Sequence, residues 1–336
     1  MYIPLLSNLC SGHLSNLTLM QAVEIGKRIA KKHFIHHVSG ASHFEDGNAI
    51  YRFLEHEQFI PKCFNFRGCT DDKEPDSVAG IGQRLVKIMS AILESYASED
   101  RCHVDYLAIS NSEEFRGYLN VVQCLHRVDL LTLSPDEKLT FFLNLYNAMV
   151  IHAVIRKGYP EGMMERKCFV TDFQYLVGGN SYSLDAIRNG ILRSNRRAPY
   201  ALVKHFTTGD SRLQMCLPTV NPLVHFGLCD GTKSSPPMRF FTSQNVQAEL
   251  RAATRDFFKR DGVDVDLSKR TCRKLWFQIS TNWRSLYKAD FGNDREILRS
   301  IMGYLDADKA GLVNHLLGDG EVVRIVYKNY NWSINS

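Results

Sequence analysis

A chain of 336 residues, 44% hydrophobic and 23% charged, has enough apolar material for a sizeable core and more than one domain. The formal net charge of +5 permits a basic patch but does not argue for nucleic acid. The basic residues of 193–204 and 251–274 are scattered rather than interleaved with aromatics, so no nucleic-acid partner is expected. Nine cysteines, an odd number, include no zinc-type pair, since Cys63 and Cys69 are too far apart for C-x-x-C. They read as free thiols in a reducing compartment, which gives a cytoplasmic protein with no metal site. The start MYIPLLSNLC has no basic residues ahead of its apolar ones, so it does not read as a signal peptide. The longest apolar run, Phe141 to Ile155, is broken by Asn144, Asn147 and His152 and is shorter than the ~20 residues of a membrane span, so no transmembrane segment is expected.

In chain order, Leu19, Ala22, Val23, Gly26, Ile29 and Ala30 recur at helical spacing behind Thr18 as N-cap. Phe34 to Val38 reads as a strand, Ser39 to Asn48 as a polar turn and Ala49 to Leu54 as a second strand. A helix followed by a hairpin is winged-helix-like. The stretch AVEIGKRIAKKHFIHHVSGASHFEDGNAIYRF, within Met20 to Leu54, resembles the last helix and wing of a DEP domain, a signalling module that docks on membranes and receptor complexes. The aromatic start and tryptophan of such a module are not found ahead of Leu19, so the resemblance covers only part of it. Lys27, Arg28, Lys31 and Lys32 form the strongest basic cluster. They read either as a solvated helix face or as a contact to anionic lipid. The resemblance implies proteins or an anionic membrane surface as partners, and a cytoplasmic location peripheral to membranes.

Residues 61–76 end in an acidic, proline-containing linker. Helices are expected over Ser77–Ser98 and Ser112–His126 from their apolar faces. Ser134-Pro135-Asp136-Glu137 is a capping box with proline at the first helical position, and the helix it opens runs to Gly158. That helix is apolar almost all round and should be central. Asn144 and Asn147 share one face of it, where they either pin backbone from a neighbouring loop or line a polar binding site. Phe169–Val177 and Ser181–Ser183 read as a hairpin around Gly178-Gly179-Asn180, and Leu184–Arg193 as a helix. Val220–Leu228 reads as a buried strand. Further elements are a helix from Thr242 or Ser243 to Arg260, a strand at Val263–Asp266, core anchors Trp276, Trp283 and Tyr287, two short helices near Arg295 and Lys309, and a last strand at Glu321–Tyr327. No phosphate-loop, zinc-protease or serine-elbow motif occurs, so no cofactor is expected.

The chemistry-bearing residues gather in Asn221 to Thr242, NPLVHFGLCDGTKSSPPMRFFT. His225, Cys229 and Asp230 are the catalytic candidates there, with Ser234 and Ser235 as binding candidates in the loop that follows. A thiol hydrolase needs a thiolate beside an oriented base. On a strand, residues 225 and 229 share a face but lie about 13 Å apart. His152 and His205 are alternative bases.

From about Arg101 onward the chain resembles the family called domain of unknown function 547 (DUF547). The matching landmarks are Asn144-Leu-Tyr-Asn-Ala148, Gly179-Asn-Ser-Tyr-Ser183, Pro222-Leu-Val-His-Phe226, Ser234-Ser-Pro236 and Tyr330-Asn-Trp-Ser-Ile-Asn335. DEP domains joined to this one also occur behind a glutaredoxin, but no glutaredoxin motif is present and redox activity does not carry over. By analogy, the histidine and cysteine invite comparison with papain- or transglutaminase-like thiol hydrolases. The resemblance implies a histidine followed by Phe-Ala-Leu-x-Cys-Gly. Here His225-Phe-Gly-Leu-Cys-Asp-Gly231 puts Asp230 where that cysteine would be and Cys229 one place early. On a strand that shift turns the thiol to the opposite face.

The expected architecture is α+β: a partial DEP-like unit over 1–60, a linker and helix over 61–100, and a mixed α/β domain resembling DUF547 over 101–336. The expected function is an intracellular signalling or scaffold protein whose second domain is not catalytic. The alternative is a thiol-dependent hydrolase or acyltransferase of papain- or transglutaminase-like type centred on 225–235.

Overall fold

The computed structural model describes residues 19–38, 44, 47, 49–66, 76–198, 201–266, 274–277, 288–318, 324–327 and 329–336. Helix α1 (Leu19–Lys31) is followed by strands β1 (Ile35–His37) and β2 (Tyr51–Phe53). The strands pair antiparallel, with Ile35 opposite Phe53 and His37 opposite Tyr51. A Cβ at Gly26 would lie 2.3 Å from the Phe44 ring, so any larger residue there would have to displace that ring. The expected Thr18 cap and most of the polar turn lie outside the described residues.

Three helices then start on side-chain caps. Ser77 caps α2 (Val78–Tyr96), Asp105 caps α3 (Tyr106–Asn111) and Ser112 caps α4 (Glu113–Gln123). Helix α5 (Pro135–Lys157) carries the full capping box. Glu137 N–H donates to Ser134 Oγ at 3.4 Å, and Ser134 N–H donates to Glu137 Oε2 at 2.8 Å. The helix stops at Gly158, whose φ of 74° suits glycine. Every residue from Leu139 to Val154 is buried, so α5 is the axis of the main core. It is long and apolar enough to cross a membrane, but its apolar surface is covered here by the rest of the fold. Ser134→Ala removes one arm of the box and is expected to lower stability by about 1 kcal/mol. A thermal melt should show a midpoint lower by roughly 2 °C, and an unchanged midpoint would contradict the cap's role.

Helix α6 (Met163–Asp172) takes up Phe169, which the sequence suggested would be strand. Strands β3 (Gln174–Val177) and β4 (Asn180–Ser183) follow. Gly178 and Gly179 join them with φ of 51° and 75°, the positive pair that a two-residue hairpin turn requires. Gly179 also meets the N-terminal unit, since a Cβ there would lie 2.5 Å from His33 Nδ1 and 2.7 Å from His36 Nε2. Residues 61–66, read from sequence as linker, lie on the same hairpin. Phe64 N–H donates to Gln174 O, and the buried Asn65 bonds Val122 O and both backbone groups of Leu176.

Ala186–Leu192, expected to be an α-helix, is π-helical. The rest comprises α7 (Val224–Gly227), α8 (Val246–Phe257), β5 (Val263–Asp266), β6 (Lys274–Phe277), α9 (Asp294–Met302), α10 (Ala307–Gly318) and β7 (Arg324–Tyr327). β6 pairs antiparallel with β5 and parallel with β7. Among the described residues the fold is therefore α+β, helix-rich with three small sheets. Trp283, Tyr287 and the Trp276 side chain, expected as core anchors, lie outside the described residues.

Candidate functional site

The expected strand at Val220–Leu228 is not formed. Asn221 Oδ1 accepts the Leu223 N–H at 3.0 Å, which bends the chain into a turn that the single helical turn α7 continues. Leu228 is then extended. This removes the basis for placing the Cys229 thiol by alternation along a strand.

Two amides of α5 hold the segment in that shape. Asn147 donates to Gly227 O at 2.9 Å and Arg239 O at 2.8 Å, and accepts the Cys229 N–H at 3.0 Å. Asn144 donates to Phe241 O at 2.9 Å and accepts Phe241 N–H at 2.8 Å, as a paired strand would. Both amides are buried, and each backbone group they satisfy would cost about 1–3 kcal/mol if left unpaired.

The Cys229 thiol is wholly buried. It accepts the Gly231 N–H at 3.4 Å and bonds the Ser235 hydroxyl. Burial pushes its pKa up to about 12, so it is a protonated thiol at neutral pH. His225 is engaged elsewhere. Its Nε2 lies 2.9 Å from Asp290 Oδ2, and Arg193 grips the same carboxylate through Nε at 2.5 Å and Nη2 at 2.8 Å. All three side chains have zero exposure. Burial works to raise the Asp290 pKa, but the bonds from His225 and Arg193 and their charges outweigh it and hold the carboxyl at about 2. An ionised carboxylate only accepts, so His225 Nε2 carries the proton of that bond. Burial also lowers the His225 pKa, against the pull of Asp290.

Asp230 makes a separate cluster. Its Oδ1 accepts from the Tyr146 hydroxyl at 2.7 Å and Arg188 Nη2 at 2.5 Å, and the guanidinium lies 4.7 Å over the Tyr146 ring. The loop beyond it is tied to the C-terminal tail. Ser235 Oγ accepts the N–H groups of Asp230 and Thr232, and Tyr330 Oη lies 2.7 Å from Thr232 Oγ1 and 3.2 Å from Ser235 Oγ. Ser234 Oγ accepts the Asn331 N–H at 2.9 Å. Lys233 N–H donates to Ser333 O and Asn335 N–H to Gly231 O, which ties the tail to the loop in a single antiparallel bridge between Thr232 and Ile334.

Residues 130–258 match the family model described as protein of unknown function, DUF547. Searches of curated proteins and of solved structures gave no match. The DUF547 segment contains His225, Cys229 and Asp230, but Asp290 and the tail that clamps its loop come from beyond it.

The candidates therefore separate. Asn147, Cys229, Asp230 and Ser235 meet around one loop, and Ser234 binds the tail there. His225 belongs to the buried Arg193–Asp290 cluster, and Asn144 holds the chain at Phe241. The alternative bases are also engaged: His152 Nδ1 lies 2.5 Å from Tyr175 Oη, and His205 Nδ1 lies 3.1 Å from Asp185 Oδ2. Arg193, counted in the sequence among the scattered basic residues of 193–204, is fully buried. Lys27, Arg28 and Lys31 are exposed on α1, and Lys32 is half-buried. Among the described residues no group of three His, Cys, Asp or Glu side chains is placed to hold a metal ion.

Sequence reasoning missed Tyr146, Arg188, Arg193 and Asp290 as members of these clusters. Tyr146 could have been found, because it stands between two buried asparagines on a core helix. Asp290 carries no local signal at all.

Proposed function

We propose that this chain is a non-catalytic intracellular scaffold. Its DUF547 segment serves as a structural frame, and its N-terminal helix and hairpin serve as a DEP-like module that docks on an anionic membrane surface. The observation that carries the non-catalytic half is the state of Cys229: a buried thiol with a pKa of about 12, bonded to Gly231 and Ser235 while His225 serves Asp290. A thiol hydrolase or acyltransferase needs the opposite, an accessible thiolate beside its base. A thiol probe with mass-spectrometric mapping is expected to label exposed Cys124 and Cys168 well before Cys229 at pH 7. Fast labelling of Cys229 that disappears in His225→Ala would establish the hydrolase reading instead.

The docking half is supported by the order helix, strand, strand and by three exposed cations, Lys27, Arg28 and Lys31, which form no ion pair among the described residues. Each basic residue near an anionic surface contributes about 1 kcal/mol, so replacing the three by glutamine should weaken binding roughly 100-fold. Sedimentation with phosphatidylserine vesicles measures this. Binding should also fall steeply with added salt, because the attraction is screened over about 8 Å at physiological ionic strength. Capture that ignores both salt and the three substitutions would leave a protein partner as the occupant of this face.

A further inference from the structure

We propose that the cleft between α2 and α5 is a binding site for a compact amphiphile: an apolar body carrying one carboxylate. The cleft has a volume of about 300 Å³, at the lower end of the roughly 300–1,000 Å³ of small-molecule sites. Its walls are the buried side chains of Leu85, Leu133, Phe141 and Phe241. Asn144 also lines it, with its amide bonded to the backbone of Phe241, and Gln83, Thr140, Ser243 and Gln244 add polar groups to the lining.

Two independent features point to an occupant. The first is Gly82, in the second turn of α2 and on the cleft lining. A glycine inside a helix is less favourable than alanine, because it loses more backbone freedom on folding. Packing does not demand it here, because an added Cβ would meet only Phe141 Cδ2, at an ordinary 3.8 Å. The glycine therefore keeps space open that a side chain would fill without a clash. The second is charge. Lys87 is an exposed cation on the lining and forms no ion pair among the described residues. The Glu137 carboxylate is also on the lining and keeps its charge, but its Oε2 accepts the Ser134 N–H in the capping box, which turns it toward the start of α5. Apolar walls with one unpaired ammonium at the edge match an apolar body with one anionic end.

The test uses the full chain and octanoate as the probe, with octanol as its uncharged counterpart, by calorimetric titration. Octanoate is expected to bind saturably, and about tenfold more tightly than octanol. Lys87→Gln should bring octanoate down to the octanol value. Gly82→Leu should weaken both at least tenfold while its melting temperature holds or rises. A photoreactive diazirine analogue of octanoate, applied to the unmodified protein, should crosslink to 78–87 or 241–244, and this decides the matter if Gly82→Leu does not fold. Absent saturable binding, equal affinity for the two probes, undiminished binding in folded Gly82→Leu, or adducts confined to other segments would each overturn the assignment.

Discussion

Arg193→Ala is expected to destabilise the protein by about 3–5 kcal/mol, because it leaves a buried carboxylate without its main partner. Arg193 makes two bonds to Asp290 with no solvent exposure on either side chain. Removing the guanidinium leaves the carboxylate buried with His225 and with Arg196, whose Nη1 is 3.7 Å away and whose side chain is half-exposed. Neither can replace a fork that binds both oxygens. The consequence extends beyond the pair. Asp290 is followed by Phe291, which packs with Phe226 and the cluster of Phe258, Ile297 and Leu298, so the ion pair fixes how the C-terminal elements meet the core. Arg193→Lys should give an intermediate loss, because a point charge satisfies one oxygen. Replacing both partners by leucine should cost less than Arg193→Ala, because no orphan charge remains. Urea unfolding of the four proteins measures this. A loss under about 1 kcal/mol for Arg193→Ala would show that the carboxylate finds solvent, and that the buried pair does not organise this region.

Acid should remove several kcal/mol of stability as pH falls from about 6.5 toward 3, with Asp290, whose carboxyl is held at about 2, adding to the loss only below about pH 4. Burial lowers the pKa of His152 from 6.5 to about 3, with the charge of Arg156 adding to the effect. Burial between the N-terminal unit and the hairpin lowers His33 to about 4, with His36 contributing in the same direction. The folded state therefore holds these rings neutral at pH values where the unfolded chain protonates them. More protons on the unfolded state means that stability rises with pH. It is complete above about 6.5 and falls as pH drops toward the folded values. At about 1.4 kcal/mol per pKa unit, the buried His152 accounts for up to a few kcal/mol. It ends a buried chain in which Tyr118 Oη lies 2.6 Å from Tyr175 Oη, which lies 2.5 Å from His152 Nδ1. His152→Gln removes the titrating group and should flatten the slope of unfolding free energy against pH, even if the variant is less stable at pH 7. Denaturant titrations at pH 7, 6, 5 and 4 supply that slope. Equal slopes for the two proteins would exclude His152 as the source.

Local chemistry alone determined much of the frame. Ser134 announces a helix start because an N-cap acts on its own next turn, and apolar faces mark the helices that begin after Ser77 and Ser112. Gly178-Gly179 announces a hairpin because both positions need positive φ. Asn144 and Asn147 stand out because amides on an otherwise apolar helix must find partners. The conformation of 221–228 was not legible. An apolar run of this length suits a strand or a short helical turn equally, and the decision came from Asn147, 80 residues earlier, which bonds Gly227 O. The same holds for Leu184–Arg193. An α-helical repeat would splay Arg188 and Arg193 apart, whereas the i→i+5 turn brings them to the same side, where both act on His225. Above all, tertiary structure alone decided the chemistry of the candidate residues. Asp290 lies 65 residues beyond His225, and the partners of Asp230 lie 42 and 84 residues before it. Charges so far apart leave no periodicity in the chain, because their pairing is set by the low dielectric of a core that exists only once the helices have packed.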